Sequence, residues 1–436
     1  MAKLRNKHTI ICYCRKNVFL RKSISVRGLY NLLVSIAWWI LQLIAIFSSK
    51  IRLFVKGRKA SKKLLATIST SDQPCIWMHV ASLGEYEQGL PILEEIKHSY
   101  PAHKIVLTFF SPSGYEVKKD SKAADHVLYL PMDTQSNTRQ FLDTFNPSLT
   151  IFIKYEIWPN YLAQLKQRKI PTLLVSAIFS KRQIFFKPWG GFMRKSLLTF
   201  DHFFVQDQNS KVLLNTLGHQ NVTISGDTRF DRVYEILKRD NQLEFMARFK
   251  GGDFCLVAGS TWPEDEKILA EYINNAPKGQ KFALAPHTIK PTHIQRIKNG
   301  ISKKTVCFSE MGETDLSQYD VLIIDTIGLL TKIYSYADAA YVGGAFATGL
   351  HNTLEPAVYG IPVLIGPNYD GFKEAEDLVA QKGIHSISNL KEFNSRMASL
   401  TTDHPFRTKT GMINSNYITK NVGATNQVMD YVKTIL

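Results

Sequence analysis

Short apolar runs that alternate with amphipathic stretches are the feature of this 436-residue chain that most constrains its fold. From Pro74 onward, seven such runs are predicted as strands, and each is followed by a helix-like segment. The runs are Cys75–Val80, Lys104–Phe110, His126–Leu130, Leu149–Lys154, Thr172–Ala177, His202–Gln206 and Val222–Ser225. This β–α alternation predicts a parallel, doubly wound sheet.

The alternation lapses once and then restarts. Residues 232–250 form a charged, helix-like stretch that ends at Gly251-Gly252. Six further strands are then predicted at Phe254–Gly259, Lys281–Pro286, Thr305–Phe308, Val321–Asp325, Ala339–Val342 and Pro362–Ile365. We therefore predict two Rossmann-like halves, 72–230 and 253–436, joined by a linker at 231–252. Because such sheets bind ligands beyond the carboxyl ends of their strands, we expect a cleft between the halves to hold the site.

The positive charge is concentrated at the N-terminus. The formal net charge is +17, yet residues 1–71 contain fifteen Lys/Arg and no acid, and the remaining 365 residues carry a net charge of only +2. The basic character therefore belongs to a segment and not to the globular halves. The chain contains only five cysteines, too few for a disulfide scaffold at this length.

Twenty uncharged residues, 28–47, separate two basic clusters. A helix of that length can just cross a hydrocarbon layer of ~30 Å. We expect a basic arm at 1–27, followed by an apolar anchor helix and a basic juxtamembrane segment at 28–71. A helix that spans the bilayer and one that lies in its interface both fit. Basic clusters beside an anchor suit an anionic membrane surface, whereas nucleic acid, the rival partner, is disfavoured by the near-neutral body.

Two carboxylates follow predicted strands. Glu85 lies at a strand-to-helix turn, and Glu156 follows another strand, just before a helix that opens with Pro159. A carboxylate at this position can act as a general base. It can equally cap the N-terminus of its helix, so position alone leaves both roles open.

A glycine-containing loop follows the strand at 339–342, and a helix is predicted to begin near His351-Asn352. Glycines let backbone N–H groups approach a phosphate, and a helix dipole stabilises its charge. Glu355, one turn inside that helix, could accept hydrogen bonds from ribose hydroxyls. An ordinary glycine turn is the alternative, because neither a dinucleotide fingerprint nor a P-loop is present.

Three further strand ends converge on the same predicted crevice. They carry Ser260, Pro286-His287 and the segment from Asp325 to Gly328. This convergence favours a nucleotide ligand. The sequence shows no aspartate pair at a strand end and no cluster with metal-ligand spacing, so neither a metal nor another cofactor is expected.

Five motifs and the N-terminal anchor occur in an order that resembles the Kdo transferases, the bacterial 3-deoxy-D-manno-octulosonic acid transferases of lipid A and lipopolysaccharide biosynthesis. The resemblance covers roughly residues 28–436. The motifs are H-V-A-S-L-G-E (79–85), Y-E-I-W-P-N (155–160), G-D-T-R-F-D (226–231), A-G-S-T (258–261) and H-N-T-L-E-P-A (351–357).

The resemblance implies a GT-B fold and an inverting, metal-independent glycosyltransferase. The enzyme would move Kdo from CMP-Kdo to the lipid A precursor (lipid IVA) and release CMP, at the cytoplasmic face of the inner membrane. Glu85 would be the general base, and Glu156 and Arg229 would assist the transition state. In the donor site, the resemblance and the strand-end argument together place Ser260, Pro286, His287, Ile327, Gly328, Leu329, His351, Asn352, Thr353, Leu354 and Glu355.

The chain departs from the family pattern at three of these positions. His287 stands where the family often has Arg, Leu329 where it often has Glu, and Arg229 where Lys is commoner. Two other functions remain open on the sequence. A nucleotide-sugar epimerase or hydrolase on the same fold would need no lipid acceptor, and a membrane-tethered nucleic-acid-binding protein would use the basic arm.

Overall fold

The computed structural model of the chain describes residues 26–68, 73–347 and 349–436. The basic arm expected at 1–27 therefore lies outside the described residues except for Val26 and Arg27. Within the described residues the chain forms two seven-stranded sheets. The first contains β1 (Cys75–Val80), β2 (Lys104–Phe109), β3 (His126–Tyr129), β4 (Leu149–Ile153), β5 (Thr172–Ala177), β6 (His202–Val205) and β7 (Val222–Ile224). The second contains β8 (Phe254–Thr261), β9 (Gln280–Pro286), β10 (Thr305–Cys307), β11 (Val321–Ile323), β12 (Ala339–Val342), β13 (Val363–Ile365) and β14 (Ile384–Ser386).

Helices precede, connect and follow the strands. Those up to the end of the first sheet are α1 (Val26–Ile44), α2 (Ser49–Thr67), α3 (Leu83–Ser99), α4 (Pro112–Lys118), α5 (Gln135–Phe145), α6 (Pro159–Arg168), α7 (Gly191–Leu197) and α8 (Gln208–Thr216). The remainder are α9 (Arg229–Tyr234), α10 (Glu244–Lys250), α11 (Pro263–Asn275), α12 (Pro291–Gly300), α13 (Leu330–Ile333), α14 (Leu354–Ala357), α15 (Lys373–Ala380), α16 (Leu390–Thr402), α17 (His404–Asn421) and α18 (Ala424–Val432).

Both sheets are parallel and doubly wound, as the alternation predicts. The first has the order β3-β2-β1-β4-β5-β6-β7 and the second β10-β11-β9-β8-β12-β13-β14. The chain reverses direction across the first sheet between β1 and β4, and across the second between β8 and β12. These are the topological switch points at which such sheets bind ligands.

Each sheet is covered on both faces. In β1, Cys75, Trp77 and Val80 are all buried, and every other residue of the strand is buried too. One side of the sheet packs around Trp77 and the other around Ile76 and Met78. A strand buried on both faces needs apolar residues throughout, which is why these strands read as continuous apolar runs in the sequence.

The strand predictions are confirmed, with ends that move by no more than two residues. The structure adds β14, which the sequence analysis missed, and it corrects the predicted helical stretch at 232–250. That stretch is divided into the end of α9, a short 3₁₀ turn at Glu235–Lys238 and α10. Phe249 of α10 lies in the core of the second half, together with Met246. Residues 231–252 are thus packed against that half.

The last helix returns to the first half. Residues 253–436 were assigned to the second half from the sequence, but Val428, Met429 and Val432 of α18 pack with the β1 side of the first sheet. The return is held by Asp231, whose carboxylate accepts hydrogen bonds from the backbone N–H groups of Gly423 and Thr425. The two halves are therefore joined by two crossings of the chain.

α1 and α2 form a helical hairpin at the edge of the first half. α1 is long and apolar enough to cross a membrane by length and composition, and none of its residues is buried. α2 begins after Ser48, whose hydroxyl accepts from the N–H of Ile51. The apolar run thus forms a helix that ends at Ile44 and a turn at its last three residues.

Candidate active site

The first switch point carries two carboxylates. Glu85 lies in the first turn of α3, directly after β1, and only 6% of it is exposed. Its Oε2 accepts a hydrogen bond from the N–H of Ala81. Glu156 follows β4, the strand paired with β1, so the two carboxylates reach the same edge of the sheet. The sequence prediction that both lie at strand ends is confirmed by this placement.

Glu156 is held by a histidine and a tryptophan. His79 of β1 is fully buried, and its Nε2 lies 3.3 Å from Glu156 Oε2. The indole Nε1 of Trp158 lies 3.1 Å from each of these two atoms. On its other side, His79 Nδ1 lies 2.8 Å from the Oγ1 of Thr108. Glu156 is therefore held in position by His79 and Trp158, and His79 is itself held by Thr108.

The environment of Glu85 disfavours its charged form. Burial and, to a smaller extent, the negative charge of Glu156 raise the pKa of Glu85 to about 7, against the opposing effects of the Ala81 N–H and Lys154. A carboxyl group with a pKa near neutrality can take a proton from a hydroxyl and release it again at physiological pH. Of the two roles that the sequence left open for Glu85, the shifted pKa favours the base.

Arg229 lies at the junction between the two halves. It begins α9, and its guanidinium pairs with Asp227 at 2.8 Å and with Glu374 of α15 at 3.0 Å. Burial alone lowers the pKa of Arg229, but the two carboxylates outweigh it and the net shift is upward. In this structure Arg229 therefore joins the two halves through its ion pairs, and no described contact joins it to Glu85 or Glu156.

The second switch point carries two imidazoles and an indole. Trp262 follows β8 and stacks on His287, which follows β9, with ring centroids 4.6 Å apart. Its Nε1 donates to Nε2 of His351 at 2.9 Å. This bond places the proton of a neutral His351 ring on Nδ1. Burial lowers the pKa of both histidines, so both rings are uncharged at neutral pH.

Asp265 shapes the glycine loop after β12. Its Oδ2 accepts from the N–H of Trp262 at 2.8 Å and from the N–H of Gly344 at 2.9 Å, and its Oδ1 accepts from the hydroxyl of Tyr341 at 2.6 Å. The loop also passes very close to β8, since a Cβ on Gly343 would lie 2.5 Å from the carbonyl oxygen of Ser260. Only glycine fits there.

The helix after the loop begins later than the sequence predicts. We predicted a start near His351-Asn352, but α14 begins at Leu354 and contains four residues, so Glu355 lies in its first turn. Asn352 Oδ1 accepts from the N–H of Leu354 at 3.1 Å and delays the helix, as Asn commonly does at such positions. One turn carries little dipole, which weakens the predicted dipole contribution to phosphate binding.

Glu355 is held ready to accept hydrogen bonds. Its carboxylate accepts from Thr331 Oγ1 and from Asn352 Nδ2, each at 3.1 Å, and burial raises its pKa. The other predicted donor-site residues lie in strands, in loops and in α14 of the same half. Thr353 and Leu354 are buried, and Pro286 is the last residue of β9. The backbone of Ser260 is left-handed, with a φ of +53°. Ile327 is 84% exposed, and Gly328 and Leu329 directly precede α13.

The helix after β1 lies near the 351–355 segment. Glu87 of α3, two residues beyond Glu85, and Arg232 of α9 both shift the pKa of Glu355. Arg232 Nε lies 3.5 Å from Glu87 Oε2. The helix that carries Glu85 is therefore within electrostatic reach of the 351–355 segment, as the predicted cleft requires.

Some residues of this cleft were not identified from the sequence. His79 begins the H-V-A-S-L-G-E motif, but no role was predicted for it, and its contact with Glu156 appears only with the β1–β4 pairing. Trp262 and Asp265 follow a strand that the analysis did place, so position could have indicated them. Among the described residues, no group of three or more His, Cys, Asp or Glu is arranged to hold a metal ion.

Several known proteins with similar sequences are described as Kdo transferases. A family model described as 3-deoxy-D-manno-octulosonic-acid transferase matches residues 56–232. The 3-deoxy-D-manno-octulosonic acid transferase of Aquifex aeolicus is 28% identical over 74% of this chain and 85% of its own length. The Haemophilus influenzae transferase of the same description is 26% identical over 83% of this chain and 87% of its own length.

The fold is shared with solved structures of GT-B type. A UDP-GlcNAc 2-epimerase from Neisseria meningitidis, solved with UDP-GlcNAc, superposes with a TM-score of 0.53 and 13% identity, over 83% of this chain and all of the epimerase. Two parallel-sheet α/β domains that face across a cleft are common to both. At this level of identity the likeness concerns the fold alone and does not favour epimerisation.

Proposed function

We propose that this chain, which is similar in sequence to Kdo transferases, is a glycosyltransferase that moves Kdo from CMP-Kdo to the lipid A precursor lipid IVA, with inversion and release of CMP. The observation that carries this proposal is the buried carboxyl of Glu85, with a pKa raised to about 7, at the switch point whose helix lies near the 351–355 segment. A base in that place suits attack by a hydroxyl.

In the proposed step, Glu85 takes the proton of the acceptor hydroxyl as its oxygen attacks the anomeric carbon of Kdo. The bond between that carbon and the CMP phosphate oxygen breaks on the opposite face, and CMP leaves with the electron pair. Glu156 raises the basicity of Glu85 through its charge. Glu156 is itself held by His79 and Trp158, which fixes the position of its charge.

The second half is proposed to hold CMP. Glu355 is placed to accept from ribose hydroxyls, and the flat faces of Trp262 and His287 suit a ligand that stacks. Because His287 is neutral where many relatives have Arg, the phosphate would be bound by polar donors and not by a guanidinium at this position.

We propose that the enzyme acts at the cytoplasmic face of the inner membrane and that α1 lies in the bilayer interface. The helix contacts the first half near its start, where Tyr30 donates to Asp133 at 2.8 Å and Asn31 accepts from Asn160 at 2.8 Å. Further along, Leu41 packs beside α2. A spanning helix would draw these polar partners into hydrocarbon, which is costly.

The outward face of α1 supports this orientation. Exposed apolar residues recur every three or four positions and form one stripe along the helix: Leu29, Leu32, Leu33, Ile36, Trp39, Ile40 and Leu43. A stripe of this kind on a helix that packs against a domain suits insertion into one leaflet.

Incubating the full-length protein in detergent micelles with CMP-Kdo and lipid IVA tests the proposal. Mass spectrometry should detect lipid IVA with one or more added Kdo residues, together with CMP, and the mass also counts the additions. Consumption of CMP-Kdo without a heavier lipid would identify a hydrolase and contradict the proposal. An isomerised donor with no transfer would support the epimerase instead.

A further inference from the structure

A cavity of about 380 Å³ lies between α1, α2 and the segment between β3 and α5. It is separate from both switch points. Its lining combines three basic side chains of α2 with two indoles of α1: Arg58, Lys59, Lys62, Trp38 and Trp39. Neither the general base nor the donor site explains this combination.

Arg58 is the most unusual residue of the cavity. It is only 4% exposed, and its guanidinium lies 3.6 Å above the ring of Phe54. Its Nη2 donates to the carbonyl oxygen of Phe110 at 2.9 Å, but Nε and Nη1 have no hydrogen-bond partner among the described residues. A buried guanidinium with unpaired donors is unfavourable, and an anion is the ligand that would satisfy them.

Asp133, the acidic residue nearest in sequence to the residues that line the cavity, is not the anion that pairs with Arg58. Asp133 belongs to the segment between β3 and α5, yet its carboxylate accepts from Tyr30 and from the backbone of Asn160 and Tyr161. Its hydrogen-bonding capacity is therefore used at the base of α1. The positive charge of Arg58, Lys59 and Lys62 is left for a ligand.

The neighbouring surface indicates what kind of anion this is. Trp39 lines the cavity and is 70% exposed, and it belongs to the apolar stripe of α1 that was assigned to the bilayer. A ligand in this cavity therefore has lipid beside its charged end. A guanidinium and two ammonium groups match the oxygens of a phosphate.

We propose that the cavity binds the phosphate head group of a membrane lipid, with the acyl chains along the exposed stripe of α1. Arg58 is linked to Glu156 through two residues: it donates to Phe110, Phe110 stacks on Trp158 with centroids 4.8 Å apart, and Trp158 donates to Glu156. A lipid phosphate held here is thus tied to the active-site edge of the first sheet. The proposal rests on the proposed membrane contact of α1, but not on which sugar is transferred.

Native mass spectrometry of the full-length protein in neutral detergent tests it, with dioleoylphosphatidic acid as the probe. We expect one tightly bound lipid, and at least tenfold weaker binding in the double variant Lys59→Gln/Lys62→Gln. The matched control is Lys56→Gln/Lys63→Gln, which removes the same charge from exposed positions of α2 that do not line the cavity. Equal weakening in both variants would overturn the proposal, since it would show unspecific attraction to the helix.

Two further binding measurements, with inorganic phosphate and with dioleoylphosphatidylcholine, test whether the bound phosphate belongs to a lipid. Inorganic phosphate that binds as tightly as the lipid would overturn the assignment to a lipid, and so would equal binding of dioleoylphosphatidylcholine. Arg58→Gln should also weaken binding at least tenfold, with circular dichroism as a check on folding. Flotation on dioleoylphosphatidylcholine vesicles measures membrane contact alone, so failure of the cavity and failure of the anchor are distinguishable.

Discussion

The two switch points of the molecule occupy the same topological position but carry opposite chemistry. Between β1 and β4 lie two carboxylates, and the buried one has a pKa raised to about 7. Between β8 and β12 lie neutral imidazoles, an indole and a glycine loop shaped by Asp265. One edge is suited to taking a proton and the other to holding a nucleotide, so a shared topology fixes where a ligand binds but not what is done to it.

The largest effect should come from removing the charge of the first switch point. Glu85→Gln keeps the size of the side chain and can still accept from the N–H of Ala81, but it cannot take a proton. We expect turnover to fall at least ~100-fold, as is typical for loss of a general base, while CMP affinity measured by calorimetry stays unchanged. Glu95→Gln, an exposed change on the same helix, is the control. Normal turnover in Glu85→Gln would show that the first switch point does not supply the base, and the proposed chemical difference between the two halves would be wrong.

The same variant should also be more stable at alkaline pH. Because the pKa of Glu85 is raised from 4.5 to about 7 in the folded protein, ionising this carboxyl costs the folded state stability, and the loss accumulates as the pH rises from 4.5 to about 7. Glu85→Gln should therefore raise the free energy of unfolding at pH 8, by up to ~3 kcal/mol for a shift of this size, with no gain at pH 4. Thermal unfolding at the two pH values measures this, and lower stability of the variant at pH 8 would be the contrary result.

A smaller effect is expected at the second switch point. Trp262→Ala removes both the stack on His287 and the bond to His351, so the KM for CMP-Kdo should rise about tenfold, equivalent to ~1.4 kcal/mol of binding. The pH dependence contributed by Glu85 should stay as it is. Trp189→Ala, at a tryptophan that is 74% exposed, provides the comparison. A change in kcat with no change in KM would mean that Trp262 belongs to the chemistry and not to the donor site.

The smallest effect concerns the junction between the halves. Lysine at 229 could pair with Glu374 through one nitrogen only, whereas Arg229 uses Nη1 and Nη2. Arg229→Lys should lower the free energy of unfolding by about 1 kcal/mol and leave turnover within about threefold, which steady-state kinetics and urea unfolding would measure. If turnover were lost with stability intact, Arg229 would act in catalysis after all, as the family resemblance implies.

How much the sequence predicts differs between local and long-range features. Strands such as β1 and β5 are bounded correctly because their runs are predominantly apolar and are buried along their whole length. β14 was not predicted because it has only three residues, one of them His385, which are too few to show the apolar pattern of a strand. The return of α18 to the first sheet depends on Asp231 capturing residues almost two hundred positions away, which no local signal encodes.

The site follows the same division. Glu85, Glu156 and the loop before Glu355 could be placed because strand ends converge in a doubly wound sheet. The pairing of Arg229 with Glu374, and the support of Glu156 by His79, depend on how elements distant in sequence pack. Residue types and positions were therefore predictable, whereas partners were not.

The pH dependence of kcat/KM for the lipid acceptor tests the central claim most directly, compared between the unaltered protein and Glu156→Gln. Because Glu85 must be deprotonated to act, the rate should rise with pH and level off above about 7. Since the charge of Glu156 helps to raise that pKa, Glu156→Gln should move the rise to lower pH. A rate that is flat between pH 5 and 8, or a rise that stays in place in Glu156→Gln, would contradict the account.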